Sequence, residues 1–237
     1  MPENFCTQVG KEHYAGKYDN VPRFVSYFCQ IELIRKFKPD NVLEIGIGNK
    51  TVVNYLRQAG VQVTSCDFDE ALGPDHVGDI RALPFSNASY DVVSACEVIE
   101  HIPWDDVDLA LSEIHRVSRK YVLMSIPYYS AGFELIIKLP LINKIFKTPF
   151  IRLYLIIPYF FMPAKFDGQH YWEMGRRNFS KKKIRAALGK YFTIHREVKP
   201  LFNNYRYFFV MEKKPQVPSE ANESAQHRYG ENIIAGA

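Results

Sequence analysis

Between Asn41 and Pro127 the chain alternates short, almost unbroken apolar runs with segments of helical periodicity. This alternation restricts the fold more than any other feature. NVLEIG (41–46) is short and apolar, NKTVVNYLRQAG (49–60) spaces its apolar residues along one helix face, and VQVTSCDFD (61–69) is strand-like again. HVGD (76–79) reads as a brief third strand, YDVVSA (90–95) as a fourth and KYVLMSIP (120–127) as a fifth. WDDVDLALSEIHRVSR (104–119) supplies a helix between the last two. Gly60 stands where a helix C-terminus favours glycine. Strand, helix, strand, strand, helix, strand is the pattern of an open α/β sheet, and near-continuous apolar strands imply helices on both faces.

The flanks extend this plan. VPRFVSYFCQIELIRKF (21–37) has amphipathic periodicity and stops at Pro39-Asp40-Asn41. KKKIRAALGKY (181–191) predicts a further helix, and FTIHREV (192–198) and YRYFFVMEK (205–213) predict late strands. With 237 residues, 47% hydrophobic and 24% charged, the chain can bury one large core. The expected organisation is one domain over 1–214, with a helical lead (1–40) and an apolar insertion (131–166), then a disordered tail (215–237).

A formal charge of +4 falls short of the clustered excess of a nucleic-acid binder. Cys6, Cys29, Cys66 and Cys96 are far apart and form no metal or redox spacing, so a reducing cytosol is expected. The first residues hold no apolar signal core. In 131–166 the longest charge-free run, Leu153 to Ala164, is shorter than the roughly 20 residues of a spanning helix.

In such a sheet, ligands bind beyond the carboxyl ends of the strands. There VLEIGIGNK (42–50) offers two glycines, Gly46 and Gly48, ahead of a helix start. The dinucleotide frame GxGxxG would end at Thr51, so its third glycine is absent. Glu44, two residues before Gly46, repels a diphosphate but suits an ammonium or sulfonium. The expected ligand is therefore a cationic zwitterion. Asp67 closes the second strand where a Rossmann acid accepts from ribose hydroxyls. Asp79 can accept from an exocyclic amine, with Ile80 as an apolar wall beside it. Glu97, Glu100 and His101 follow the fourth strand.

VLEIGIGNKT, CDFD, VGDIRALPFSNASYDVVSACEVIEHI and EIHRVSRKYVLMSIP, in this order over about 41–127, resemble a class I S-adenosylmethionine-dependent methyltransferase of the type 11 kind. The resemblance implies a Rossmann-like sheet of seven mostly parallel strands, the last one antiparallel. It places Glu44, Gly46 and Gly48 around the methionine part of S-adenosyl-L-methionine and Asp67 on the ribose, with Phe68 alongside. Asp79 and Ile80 fall at the adenine, and Glu97 lines the cofactor. Two departures stand out: Lys50 replaces a further glycine of the loop, and the usual helix between strands two and three is reduced to a short stretch.

Methyl transfer needs a nucleophile held in line behind an electrophilic methyl and shielded from water; it requires no metal and no covalent intermediate. A hydroxyl acceptor needs a base, for which His101 and His170 are the candidates. Tyr128, Tyr129, Trp172 and Glu173 are the expected acceptor-side residues. The insertion 131–166 reads either as a lid packing its apolar face on the sheet or as an interfacial helix on the inner face of a membrane. The expected acceptor is a small molecule, a glycan or a lipid-linked compound, methylated at oxygen. Nucleic acid is disfavoured: the Asn-Pro-Pro-Tyr-like turn of amino methylation is missing after strand four, and Ala95-Cys96 replaces a Pro-Cys nucleophile. The other alternative is a non-catalytic cofactor binder or membrane-peripheral partner.

Overall fold

The computed structural model describes residues 11–14, 18–138 and 150–215. The expected tail, apart from Pro215, lies outside the described residues, as do Cys6 and the middle of the apolar insertion.

Seven strands form one sheet. β1 (Asn41–Ile45), β2 (Gln62–Asp67), β3 (His76–Val77), β4 (Tyr90–Cys96) and β5 (Ser118–Pro127) run parallel to one another. β8 (Phe192–Val198) and β9 (Arg206–Lys213) complete it in the order β3-β2-β1-β4-β5-β9-β8, with β9 antiparallel to both neighbours. The order reverses between β1 and β4, the switch point at which open α/β sheets bind ligands.

Helices cover both faces, as the unbroken apolar strands require. α1 (Val21–Lys36) and α2 (Thr51–Gln58) pack Ile34 and Leu56 against Val42, Val92 and Phe208. On the opposite face, α3 (Val107–Val117) and α4 (Lys181–Tyr191) pack Leu111, Ile114 and Leu188 against Leu43, Val93 and Met124. Val42 and Leu43 thus point to different cores, which is the period-two consequence of a strand buried on both sides. Asn20 caps α1 by accepting from the Arg23 N–H at 3.0 Å, and Ser180 caps α4 through the Lys183 N–H at 3.2 Å. The link from β2 to β3 holds only a single turn, Glu70–Leu72, in place of a helix.

The apolar insertion is not helical where it is described. β6 (Ser130–Ile137) and β7 (Ile151–Pro158) pair antiparallel as a separate two-stranded sheet. Its apolar face points away from the molecule: Phe133 faces Leu155 and Leu135 faces Leu153, and all four are exposed. The inward face carries Glu134 and Arg152, paired at 2.5 Å, and Arg152 also donates to the carbonyls of Lys199 and Pro200. This inverts the expected lid, whose apolar face was to pack inward.

Candidate active site

A cavity opens at the carboxyl edge of β1, β2 and β4, where the loop after β1 bends sharply. Gly46 has φ +77° and Gly48 φ +50°, conformations that a Cβ makes costly. A Cβ on Gly46 would also stand 2.4 Å from Val98 Cγ2. Lys50 sits at φ +63°, so the position where a further glycine was expected keeps the left-handed backbone without the glycine. Its ammonium donates to the Gly73 carbonyl at 2.7 Å and ties the loop to the turn after β2.

Acids dominate the wall. Glu44 is 3% exposed; its Oε1 accepts from Gln30 Nε2 at 2.5 Å, while Oε2 has no hydrogen-bond partner among the described residues. Burial pushes its carboxyl up to about 8, against the pull of hydrogen bonds from Ser94 and Gln30. Asp67 ends β2 and accepts from the Ile47 N–H at 2.8 Å and the Asp69 N–H at 3.0 Å, which locks the glycine loop onto the strand end. Burial raises its pKa despite those bonds. Glu97, at φ +57° just past β4, accepts from Ser125 Oγ at 2.7 Å. Arg206, at the start of β9, comes within 3.8 Å of it. Arg206 is the one arginine or lysine among the described residues lining this cavity, which also include Glu44, Asp67, Asp69, Asp79 and Glu97. An unpartnered carboxylate oxygen, a bare glycine loop and this excess of acids fit a ligand with a cationic centre and hydroxyl donors.

Residues 43–124 match the family model described as a methyltransferase domain. Over this stretch the chain carries a methyltransferase domain, whose cofactor is S-adenosyl-L-methionine. The fold of this methyltransferase is shared with solved structures of low identity. Magnesium protoporphyrin IX methyltransferase from Synechocystis PCC 6803, solved with bound S-adenosylhomocysteine, is 15% identical, with a TM-score of 0.56 over 86% of this chain and 92% of that one. The 1,6-didemethyltoxoflavin-N1-methyltransferase of Burkholderia thailandensis is 17% identical, with a TM-score of 0.52 over 81% of this chain and 78% of that one. The N-methyltransferase NodS of Bradyrhizobium japonicum is 11% identical, with a TM-score of 0.54 over 87% and 96%. A search of curated protein sequences finds no match.

The structure gathers Glu44, Gly46, Gly48, Asp67, Phe68, Asp79, Ile80, Glu97 and His101 around the methyltransferase cavity. Asp79 is engaged there by Arg81, whose Nε lies 3.0 Å from Oδ1 and Nη2 2.5 Å from Oδ2. The same guanidinium reaches Asp106 at 2.8 Å. The expected adenine acid is therefore one half of a bidentate ion pair, and what it has left for an amine is its remaining lone pairs.

His170 stands beside the cavity wall: its ring meets that of His101 at 4.9 Å between centroids. The His101 Nδ1 lies 2.9 Å from the Gln169 carbonyl, which makes Nδ1 the donor. Burial and the facing His170 lower the His101 pKa to about 4, so the ring stays neutral at physiological pH. The His170 Nδ1 lies 3.2 Å from Glu173 Oε1 and 3.2 Å from the Tyr205 hydroxyl. Burial works to raise the Glu173 pKa, but hydrogen bonds from His170, Tyr205 and Arg176 outweigh it and hold the carboxyl at about 2.

Three expected acceptor-side residues stand elsewhere. Trp172 is 1% exposed, donates its indole N–H to the Ile102 carbonyl at 3.1 Å and packs against Trp104 and Phe179. It is a core residue that pins the His170 segment to the loop after β4. Tyr128 is buried against Tyr207, and Tyr129 lies under the Arg176 guanidinium at 3.8 Å; neither lines the cavity. Sequence reasoning missed Tyr14, Tyr18, Gln30 and Arg206, all of which do line it. Tyr14 and Tyr18 pack edge to face at 4.9 Å, which brings the chain ahead of α1 over the cofactor loop. KEHYAGKY gives an aromatic signal for them, but no motif ties it to the sheet edge.

Proposed function

We propose that this methyltransferase moves a methyl group to an oxygen of a small amphiphilic acceptor, either free, glycan-bearing or lipid-linked. S-adenosylmethionine, when bound, supplies an electrophilic methyl on a sulfonium that becomes a thioether on transfer. The chain's own residues do the rest. Glu44 and Glu97 face the cationic end, Arg206 takes the carboxylate, and Asp67 holds the ribose hydroxyls with Phe68 beside it. Ile80 and Asp79 flank the adenine. Tyr14 and Tyr18 shield the pocket from water, which strengthens each of these interactions. The acceptor enters on the His101 side, and a neutral imidazole of the His101–His170 pair removes its hydroxyl proton. His170 suits that role better than His101, whose low pKa makes it a weak proton acceptor.

The observation that carries the acceptor class is the hairpin. The chain that leaves the hairpin also exposes Phe160, Phe161 and Phe166, and the Phe166 ring meets that of Tyr171, next to His170, at 4.5 Å between centroids. An acceptor with an apolar part can lie along this surface while its polar end reaches the imidazoles. No helix among the described residues is long and apolar enough to cross a membrane, so contact with a lipid surface would be made by this face. In this reading 1–214 works as one domain, with the helical lead closing the cofactor side and the hairpin serving the acceptor side.

The test is transfer of labelled methyl from S-adenosylmethionine into a cell extract that is then split into lipid, glycan, small-molecule, protein and nucleic-acid fractions. Label is expected in an organic-extractable or glycan product as a methyl ether or ester. Label confined to nucleic acid or protein overturns the acceptor class, and a methylamine product overturns the oxygen assignment.

A further inference from the structure

Glu100 is 0% exposed, and neither of its carboxylate oxygens has a hydrogen-bond partner among the described residues. Protonation alone does not settle such a group, because a neutral acid still has an O–H donor and a carbonyl acceptor to satisfy. What the carboxylate faces is imidazole: its Oε1 lies 4.0 Å from His101 Nε2. One ligand atom each from Glu100, His101 and His170 can be chosen so that all three lie within 4.8 Å of one another.

We propose that Glu100, His101 and His170 form a binding site for one divalent transition-metal ion at the acceptor end of the cofactor cavity. The second layer of contacts supports it. The Gln169 carbonyl takes the Nδ1 proton of His101 and leaves Nε2 as the lone-pair nitrogen on the Glu100 side. Glu173 and Tyr205 engage the Nδ1 of His170, which is the carboxylate–histidine arrangement that orients a metal-binding imidazole and raises its basicity. Two imidazoles and one carboxylate favour Mn, Fe, Co or Zn over Mg or Ca, and three protein ligands leave positions open for an oxygen of the acceptor. Ligand atoms around one such ion stand roughly 3 to 4 Å apart, so binding closes the triad slightly. Since His101 lines the cavity, the ion would stand beside the place assigned to the acceptor hydroxyl. This role rests on the proposed oxygen methylation; there the imidazoles would act through the ion, which draws the hydroxyl in and lowers its pKa.

Metal binding is measured on the full chain without cofactor or acceptor, so it stands or fails separately from methyl transfer. The chelator-treated protein is titrated with Co(II), read by its visible absorption, and with Zn(II) in competition, with thermal melting alongside. One equivalent of Co(II) is expected, displaced by Zn(II), with a raised Tm. His170→Ala and Glu100→Gln are expected to abolish stoichiometric uptake, and Glu173→Gln to weaken it about 10- to 100-fold. Calorimetry with S-adenosylhomocysteine on each variant reports that the cofactor cavity is intact. Uptake below stoichiometry, uptake unchanged in both ligand variants (binding at other histidines), or a Tm response to Mg(II) alone overturns the site.

Discussion

Glu44 carries a charge that depends on what occupies the cavity. Its folded pKa of about 8 stands above the ordinary 4.5, so between these values the native chain holds a proton that the unfolded chain has released. The stability it contributes is therefore fully present below about pH 4.5 and is lost as pH rises towards 8. A cationic ligand has the opposite preference, since it favours the ionised form. Cofactor affinity is expected to rise with pH across the same window, with proton release on binding. Calorimetry in buffers of different ionisation heat measures that proton, and Glu44→Gln should remove its contribution and flatten the pH–stability profile. Asp67→Ala should weaken S-adenosylhomocysteine binding about 100-fold or more while the circular dichroism spectrum stays native, because the carboxylate proposed to hold the ribose hydroxyls is lost. Wild-type affinity in that variant would remove Asp67 from the ribose. Both acids were legible in the sequence, since each closes a strand beside a loop with its own signature. Gln30, which holds Glu44 in place, was not: it lies on α1, and nothing local says which helix face will meet the end of β1.

At the scale of elements, strands and helices were readable from Val21 to Pro127 because periodicity and breakers agreed there. The insertion misled for a physical reason. Its residues are apolar at almost every position, so a period of two is hidden beneath a composition that also suits a lipid-facing helix. The pairing exposes the period: Phe133, Leu135, Leu153 and Leu155 share one face, while Glu134 and Arg152 share the other. An inward ion pair anchors the hairpin and leaves its apolar face to a ligand or a surface. Leu153→Asp with Leu155→Asp should leave Tm almost unchanged, because both side chains are exposed. Burying one leucine side chain contributes about 1.5–3 kcal/mol, so the double variant should weaken vesicle or amphiphile binding at least about a hundredfold. Sedimentation with anionic vesicles and turnover with an amphiphilic acceptor would measure this; equal binding by both proteins would show that the face is idle.

Across the whole molecule, the cavity is assembled from distant parts of the chain. Tyr14 and Tyr18 come from before α1, the acids from the ends of β1, β2 and β4, and Arg206 from the first residue of β9. The sheet brings these together because its order is not that of the sequence. β9, the last strand among the described residues, lies between β5 and β8 and pairs with both. A chain cut after Pro200 keeps every motif of the cofactor site yet lacks Arg206 and the strand covering one edge of β5. It is expected to bind no S-adenosylhomocysteine in calorimetry and to collect in the insoluble fraction, since an uncovered edge of this length invites pairing with other chains.

The same placement orders events during synthesis. The glycine loop and its acids leave the ribosome early, whereas the strand that carries the guanidinium leaves after them and takes its place between β5 and β8. Until it does, the growing chain lacks the guanidinium proposed to receive the cofactor's carboxylate, so incomplete chains are expected to leave the cell's methyl donor untouched.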